Sequence, residues 1–372
     1  MHRGVQAMLS WIAENPGFPG LRLAGAAGPS ELPEVEDRIF SPLPTDLRML
    51  LAQHNGGALP TGTLLRAGGA GADTILGELE RLGLLFGRAS DDPELPLPYF
   101  RSNEGALLAF DRSAAPVADT WPVIDCPPDL PELRLVHRTF DGWCRLCLRE
   151  WTAPDFGAEF SLERYLNGGL RHAEVEPDVA TAHATVAHAL RRAGEPERAL
   201  AAYLIAARCV PQLAFCDWEG LKLAVLLRDA KSALTIGRRL CTRAPARGWQ
   251  ARATTPRQVA DVLSHLVTEV EPPEPLLALL DQLGAQAPDD ESKAAIGALR
   301  RAVFGGEAVP PPQPVRPTAV SPQLQLDAFW EATEQAYLHG AVRDEDLLLD
   351  PAYRPLARHR PLADMLRVRR DF

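Results

Sequence analysis

Between residues 98 and 138 the spacing of apolar residues changes from helical to extended, and this change restricts what the chain can build. Pro98–Arg101, Ala106–Asp111, Thr120–Asp125 and Leu133–Arg138 are short apolar or alternating runs, separated by the turn-forming Ser102-Asn103-Glu104-Gly105 and Ser113–Pro116. With Thr63–Arg66 they predict an antiparallel meander of four to five strands. Ahead of the meander the period is helical. Val5, Met8, Leu9 and Ile12 form one stripe, ended by Asn15-Pro16-Gly17. Leu32, Val35 and Ile39 form a second stripe behind Ser30, a candidate N-cap. After the meander, Phe140–Trp151 returns to helical spacing with Phe140, Trp143, Cys144, Cys147 and Leu148 on one side. Helices, a meander and a closing helix predict an α+β domain over residues 1–170, its helices packed on the sheet.

The stretch Leu43–Gly57 sits at the centre of this half. Leu47, Leu50, Leu51 and His54 fall at i, i+3, i+4 and i+7 of a short amphipathic helix. Pro44 and Thr45 suit its start, Asp46 complements its dipole, and Asn55-Gly56-Gly57 supply what a left-handed C-cap favours. A helix bearing Trp11, a helix opening Ser-Glu-Leu, and a helix running from Leu43-Pro44 to Asn55-Gly56-Gly57 follow one another. The Ser-Asn-Glu-Gly turn, a strand ending at Asp111 and a Trp-Pro-Val-Ile strand come after them. In this order of motifs, over about residues 5–166, the chain resembles the SUKH superfamily. That family includes yeast cell-wall-assembly regulators and bacterial immunity proteins that neutralise toxins. The resemblance implies recognition of a protein partner rather than catalysis, with Trp11, Leu43, Pro44, Asn55, Gly56, Gly57 and Asp111 as structural motif residues.

Residues 171–304 read as an all-α helical-repeat domain. Ala199 and Ala233 are 34 apart, as are Pro211 and Pro245. The run Gly194–Leu200, then Tyr203, Ala206 and Pro211, resembles the second half of a tetratricopeptide repeat, in which small residues let two helices approach and proline ends the pair. Ala187 and Leu190 fit the first half, with His183 where tryptophan is usual. The next unit, 217–245, keeps Ala233 and Pro245 but loses the glycine and the tyrosine. The proline-rich run 305–322 reads as an extended linker, and residues 323–372 as a C-terminal helical segment.

Charge is unevenly distributed. Residues 1–165 carry 23 acidic residues against 14 arginines, a net of −9, and the remainder of the chain is nearly neutral at −1. An acidic domain repels nucleic acid and membrane surfaces and attracts basic partners. No apolar run reaches the ~18 residues that a transmembrane helix requires. The N-terminal stretch lacks the apolar core of a signal peptide. The expectation is therefore a cytoplasmic protein, and its six cysteines are expected to be mostly buried thiols.

The side chains expected to meet a partner lie in loops: Asp91, Asp92 and Glu94 in one acidic turn, Glu104 in another, and Asp73 beside the glycine-rich Ala67–Ala72. Trp121, next to a strand start, is the candidate aromatic anchor, with core packing as its other reading. The glycine-rich loop lacks the lysine and the following serine or threonine of a phosphate cradle. Cys126, His137, Cys144 and Cys147 form a possible zinc set. However, there is no second close cysteine pair, and Cys144 and Cys147 fall on the apolar side of a helix, so core thiols, with no metal and no cofactor, are the expectation. No paired carboxylates, Gly-x-Ser-x-Gly or His-Glu-x-x-His point to an enzyme. The expectation is thus a non-catalytic protein-binding module, and the SUKH resemblance implies that it shields a toxin domain, a basic one such as a nuclease being suited to the acidic balance. A helical-repeat scaffold serving an endogenous partner is the second reading, and a zinc-binding or enzymatic protein the third.

Overall fold

The computed structural model describes residues 3–69, 71–114, 116, 120–126, 134–209, 213–242, 255–266, 270–271, 273–305 and 322–370. Among the described residues the protein is mixed α/β and 60% helical, with one antiparallel sheet of seven strands. It divides into two compact units. The first comprises Met1–Glu159, Asn167–Ala182 and Cys209–Pro211; the second comprises Phe160–Leu166, His183–Arg208 and Gln212–Phe372. The proline-rich run 306–321 and Pro245 lie outside the described residues.

In the first unit the chain runs α1 (Arg3–Glu14), β1 (Arg22–Leu23), α2 (Glu31–Ile39), α3 (Thr45–Gln53), β2 (Gly57–Leu59), β3 (Gly62–Leu64), α4 (Ile75–Phe86), β4 (Leu97–Ser102), β5 (Leu107–Phe110), β6 (Val123–Cys126), β7 (Arg134–His137) and α5 (Phe140–Trp151). Each strand pairs with the next in sequence, so the sheet is a plain meander. The five expected strands are β3 to β7. The additional β1 and β2 are only two and three residues long, too short to show alternation. Helices α1, α3 and α5 pack together, and the core holds the rings of Tyr99, Phe110, Phe140 and Trp143 at centroid distances of 4.9–5.7 Å. Burying each large apolar side chain contributes about 1.5–3 kcal/mol.

The Leu43–Gly57 motif forms a helix, but its end differs from expectation. The residue closing α3 is His54, in an extended conformation rather than a left-handed one. Gly56 and Gly57 do have positive φ, +87° and +116°, but they serve the sheet. A Cβ at Gly56 would stand 2.2 Å from Arg66 Cγ, and one at Gly57 would stand 2.5 Å from the Arg22 carbonyl. Both glycines admit neighbouring chain at a distance no side chain would permit. Asn55 is buried and uses its whole amide. Its Oδ1 accepts from Ala67 N (2.7 Å), and its Nδ2 donates to Ala67 O (3.2 Å) and to Glu31 Oε2 (2.8 Å). Leu43 is buried, Pro44 is the residue before α3, and Asp111 closes a turn by accepting from Ser113 N at 3.1 Å. Trp11 packs on Phe18 and Trp151.

Helices α6 (Leu162–Val175) and α7 (Ala180–Arg192) contribute residues to both units. The second unit continues with α8 (Pro196–Ala206), α9 (Ala214–Leu226), α10 (Ala230–Thr242), α11 (Pro256–Leu263), α12 (Glu274–Gln286), α13 (Asp290–Gly305), α14 (Pro322–Leu338), α15 (Asp344–Leu349), α16 (Arg354–His359) and α17 (Ala363–Leu366). Gly194, at φ +80°, makes the turn between α7 and α8, where Glu195 N donates to Leu190 O. Between α9 and α10 the same place, 34 residues on, is held by Arg228 at φ +59°. The period therefore recurs in backbone conformation where the glycine is lost. The C-terminal helices belong to this unit. The Arg191 guanidinium grips Asp344 through two bonds of 2.7 and 3.2 Å, Tyr337 Oη donates to Asp344 Oδ1 (2.6 Å), and Arg191 Nη1 donates to Leu366 O. Among the described residues no helix is long and apolar enough to cross a membrane.

Candidate functional site

The expected acidic contacts differ in how far internal partners already hold them. Asp91, Glu94 and Glu104 are exposed. Asp92 is half-buried and structural: its Oδ1 accepts from Glu94 N at 2.8 Å, and its Oδ2 lies 3.2 Å from Arg88. Arg88 also reaches Glu94 (3.0 Å), and these carboxylates hold the guanidinium pKa above its ordinary value. Asp73 is paired with Arg101 at 3.0 Å, while Arg101 and Arg81 share the buried Glu78. Trp121 is half-buried against the core rather than presented as an anchor. The loop 88–95 is thus a pre-shaped acidic turn, with Asp91 and Glu94 displayed and Asp92 as its brace.

Beside this turn is a feature that sequence reading missed. Phe40 caps α2 in the left-handed region (φ 52°, ψ 32°) with 80% of its surface exposed. Left-handed backbone costs a non-glycine residue about 1–2 kcal/mol, and glycine is the usual residue at this position. Arg112 ties the two features together. Its guanidinium donates to Ile39 O (3.2 Å), Asp92 O (2.7 Å) and Leu95 O (2.8 Å). Arg38 Nη2 adds a bond to Ser90 Oγ at 2.9 Å. Two arginines therefore tie the end of α2, where the exposed Phe40 sits, to the acidic turn. In sequence these residues are separated by about fifty positions, and nothing local marks them as neighbours.

A separate groove of about 650 Å³ runs along α1 and α5, lined by Trp11, Leu148, Arg145, Arg149, Glu14 and Glu174 among others. It carries both signs of charge, and Arg149 and Glu174 are paired across 2.9 Å.

The six cysteines are all buried thiols outside any disulfide. Burial pushes the Cys126, Cys144 and Cys147 thiols well up, away from the thiolate a metal needs. Among the described residues they do not converge with His137. His137 instead meets Glu176, its Nδ1 2.5 Å from Glu176 Oε2, with His172 Nε2 3.5 Å from the same oxygen. Arg138 N donates to the other oxygen at 2.9 Å. Burial alone would raise the Glu176 carboxyl, but the polar contacts from His137, His172 and Arg138 outweigh it and hold the group at about 2. Burial lowers His137, so its imidazole is neutral. His172 and Glu176 stand at i and i+4, a spacing visible in the sequence; that His137 faces them was not.

No family model, no curated protein and no solved structure matches the chain.

Proposed function

We propose that this chain is a non-catalytic protein-binding module whose first unit engages a basic protein partner, in the manner of a SUKH-type immunity protein shielding a toxin domain in the cytoplasm. The observation that carries this reading is the pairing of the exposed, conformationally strained Phe40 with the acidic turn 88–95. An aromatic anchor supplies apolar contact area, and flanking carboxylates select a cationic surface and speed its approach. The net −9 of residues 1–165 extends that field beyond the turn.

The test is a binding titration against the product of a neighbouring toxin-like gene. Association should slow steeply as salt rises toward physiological strength, since long-range attraction is screened beyond about 8 Å there. Phe40→Gly should weaken the complex by about 2 kcal/mol or more. The same change should leave the free protein as stable or more so, because glycine relieves the left-handed strain. Asp91→Asn with Glu94→Gln should reduce the on-rate and keep the fold. Salt-independent binding that survives both changes would refute the proposal. A helical-repeat scaffold is the second reading, favoured by the 34-residue recurrence of the left-handed turn at Gly194 and Arg228. Binding mapped to residues 183–304 would assign the role there.

A further inference from the structure

We infer that His137, His172 and Glu176 form a binding site for a single divalent transition-metal ion of the zinc class. Their ligand atoms all lie within 4.8 Å of one another, and this is the only such cluster among the described residues. Two imidazole nitrogens and one carboxylate oxygen are the donor set that borderline ions such as Zn²⁺ and Co²⁺ prefer.

The geometry needs a small adjustment. A tetrahedral ion with bonds of about 2.0 Å sets its ligands about 3.3 Å apart. Here His172 Nε2 to Glu176 Oε2 is 3.5 Å, already close to that, and His137 Nδ1 to Glu176 Oε2 is 2.5 Å. At the second distance the two groups are hydrogen-bonded to each other. For an ion to enter, the His137 proton moves to Nε2, its Nδ1 lone pair turns to the metal, and the pair opens by roughly 0.8 Å.

Three further observations support a built site. His172 Nε2 is buried and stands 3.5 Å from Glu176 Oε2, beyond a well-formed hydrogen bond. The Glu176 carboxylate is cradled rather than merely tolerated: a Cβ at Gly142 would stand 2.2 Å from Oε1, and Arg138 N donates to that same oxygen. This is the outer-shell support that orients a carboxylate ligand. Finally, the ligands come from rigid elements. His137 ends β7, His172 lies in the last turn of α6, and Glu176 directly follows α6, its N–H donating to His172 O (2.9 Å). Three protein ligands leave a fourth position for water. Bound here, an ion would clamp the end of β7 to α6.

The experiment uses the full chain without an affinity tag, stripped with chelator and then given Co²⁺ or Zn²⁺. One equivalent should be retained through gel filtration, with the intense visible absorption of tetrahedral Co²⁺ and an upward shift of the melting temperature. His172→Ala should lower metal affinity by at least about tenfold, the effect that even outer-shell changes produce. Its metal-free melting temperature should fall only slightly, because the contact of 3.5 Å to Glu176 that it loses is long for a hydrogen bond. Cys144→Ser with Cys147→Ser should retain the metal. Failure to retain an equivalent, or retention unchanged in both His172→Ala and Glu176→Gln, would overturn the assignment.

Discussion

Asn55 shows what a single buried amide does in this fold. It pairs with the Ala67 backbone as a strand would and also holds Glu31, whose Oε2 accepts from Gly28 N at 2.6 Å. Asn55→Ala leaves a buried N–H, a carbonyl and a carboxylate short of partners, and should cost about 2–3 kcal/mol in denaturant unfolding. Asn55→Asp tests the charge separately. The new carboxylate would face Glu31, so its folded pKa lies above its unfolded one, and the folded state binds more protons as pH falls. The defect should be largest at neutral pH and shrink as pH approaches about 4. A defect independent of pH would mean that Glu31 turns away in the variant. The sequence displayed Asn55 but suggested helix capping, because the partner, Ala67, is reached only through the turn between β2 and β3.

At the scale of elements, the left-handed turns between helices separate backbone strain from steric exclusion. Gly87, ending α4 at φ +64°, has open space where a Cβ would point. Gly194, at φ +80°, has the Arg367 carbonyl 2.5 Å from that point. Gly87→Ala should therefore cost only the conformational strain of about 1 kcal/mol, and Gly194→Ala at least twice that, both read from denaturation midpoints. Arg228→Gly, at the matching place between α9 and α10, should be neutral or stabilising by up to about 1 kcal/mol, since relief of strain exceeds the entropy cost of glycine. Equal costs at Gly87 and Gly194 would contradict the close approach of Arg367. The sequence foresaw the 34-residue period from Ala199 and Ala233. It offered no sign that Arg228 adopts a glycine conformation, because only closure of the preceding helix imposes it.

At the scale of the whole molecule, the second unit depends on its C-terminal helices. Arg191 is buried and held in a bidentate pair with the half-buried Asp344, with Tyr337 completing the carboxylate and Arg370 stacked 4.3 Å above the Tyr337 ring. Asp344→Ala strands a buried cation and should destabilise this unit by about 3–5 kcal/mol, whereas Arg191→Met combined with Asp344→Leu should cost much less. Calorimetry of the two variants decides it, and equal losses would show that packing, not charge, dominates there. The sequence by itself determined the element types and their order. Periods of 3.6 and 2 are written locally, and each apolar stripe must be buried, so the helices, the strands β3 to β7 and the acidic balance of the first half were all legible. Tertiary structure alone decided which residues meet. It set Phe40 beside the acidic turn through Arg112, brought His137 to His172 and Glu176, and turned Gly56 and Gly57 from a cap into contact points. Contacts between distant positions depend on how stripes pack and chains cross, and a linear pattern carries no record of that.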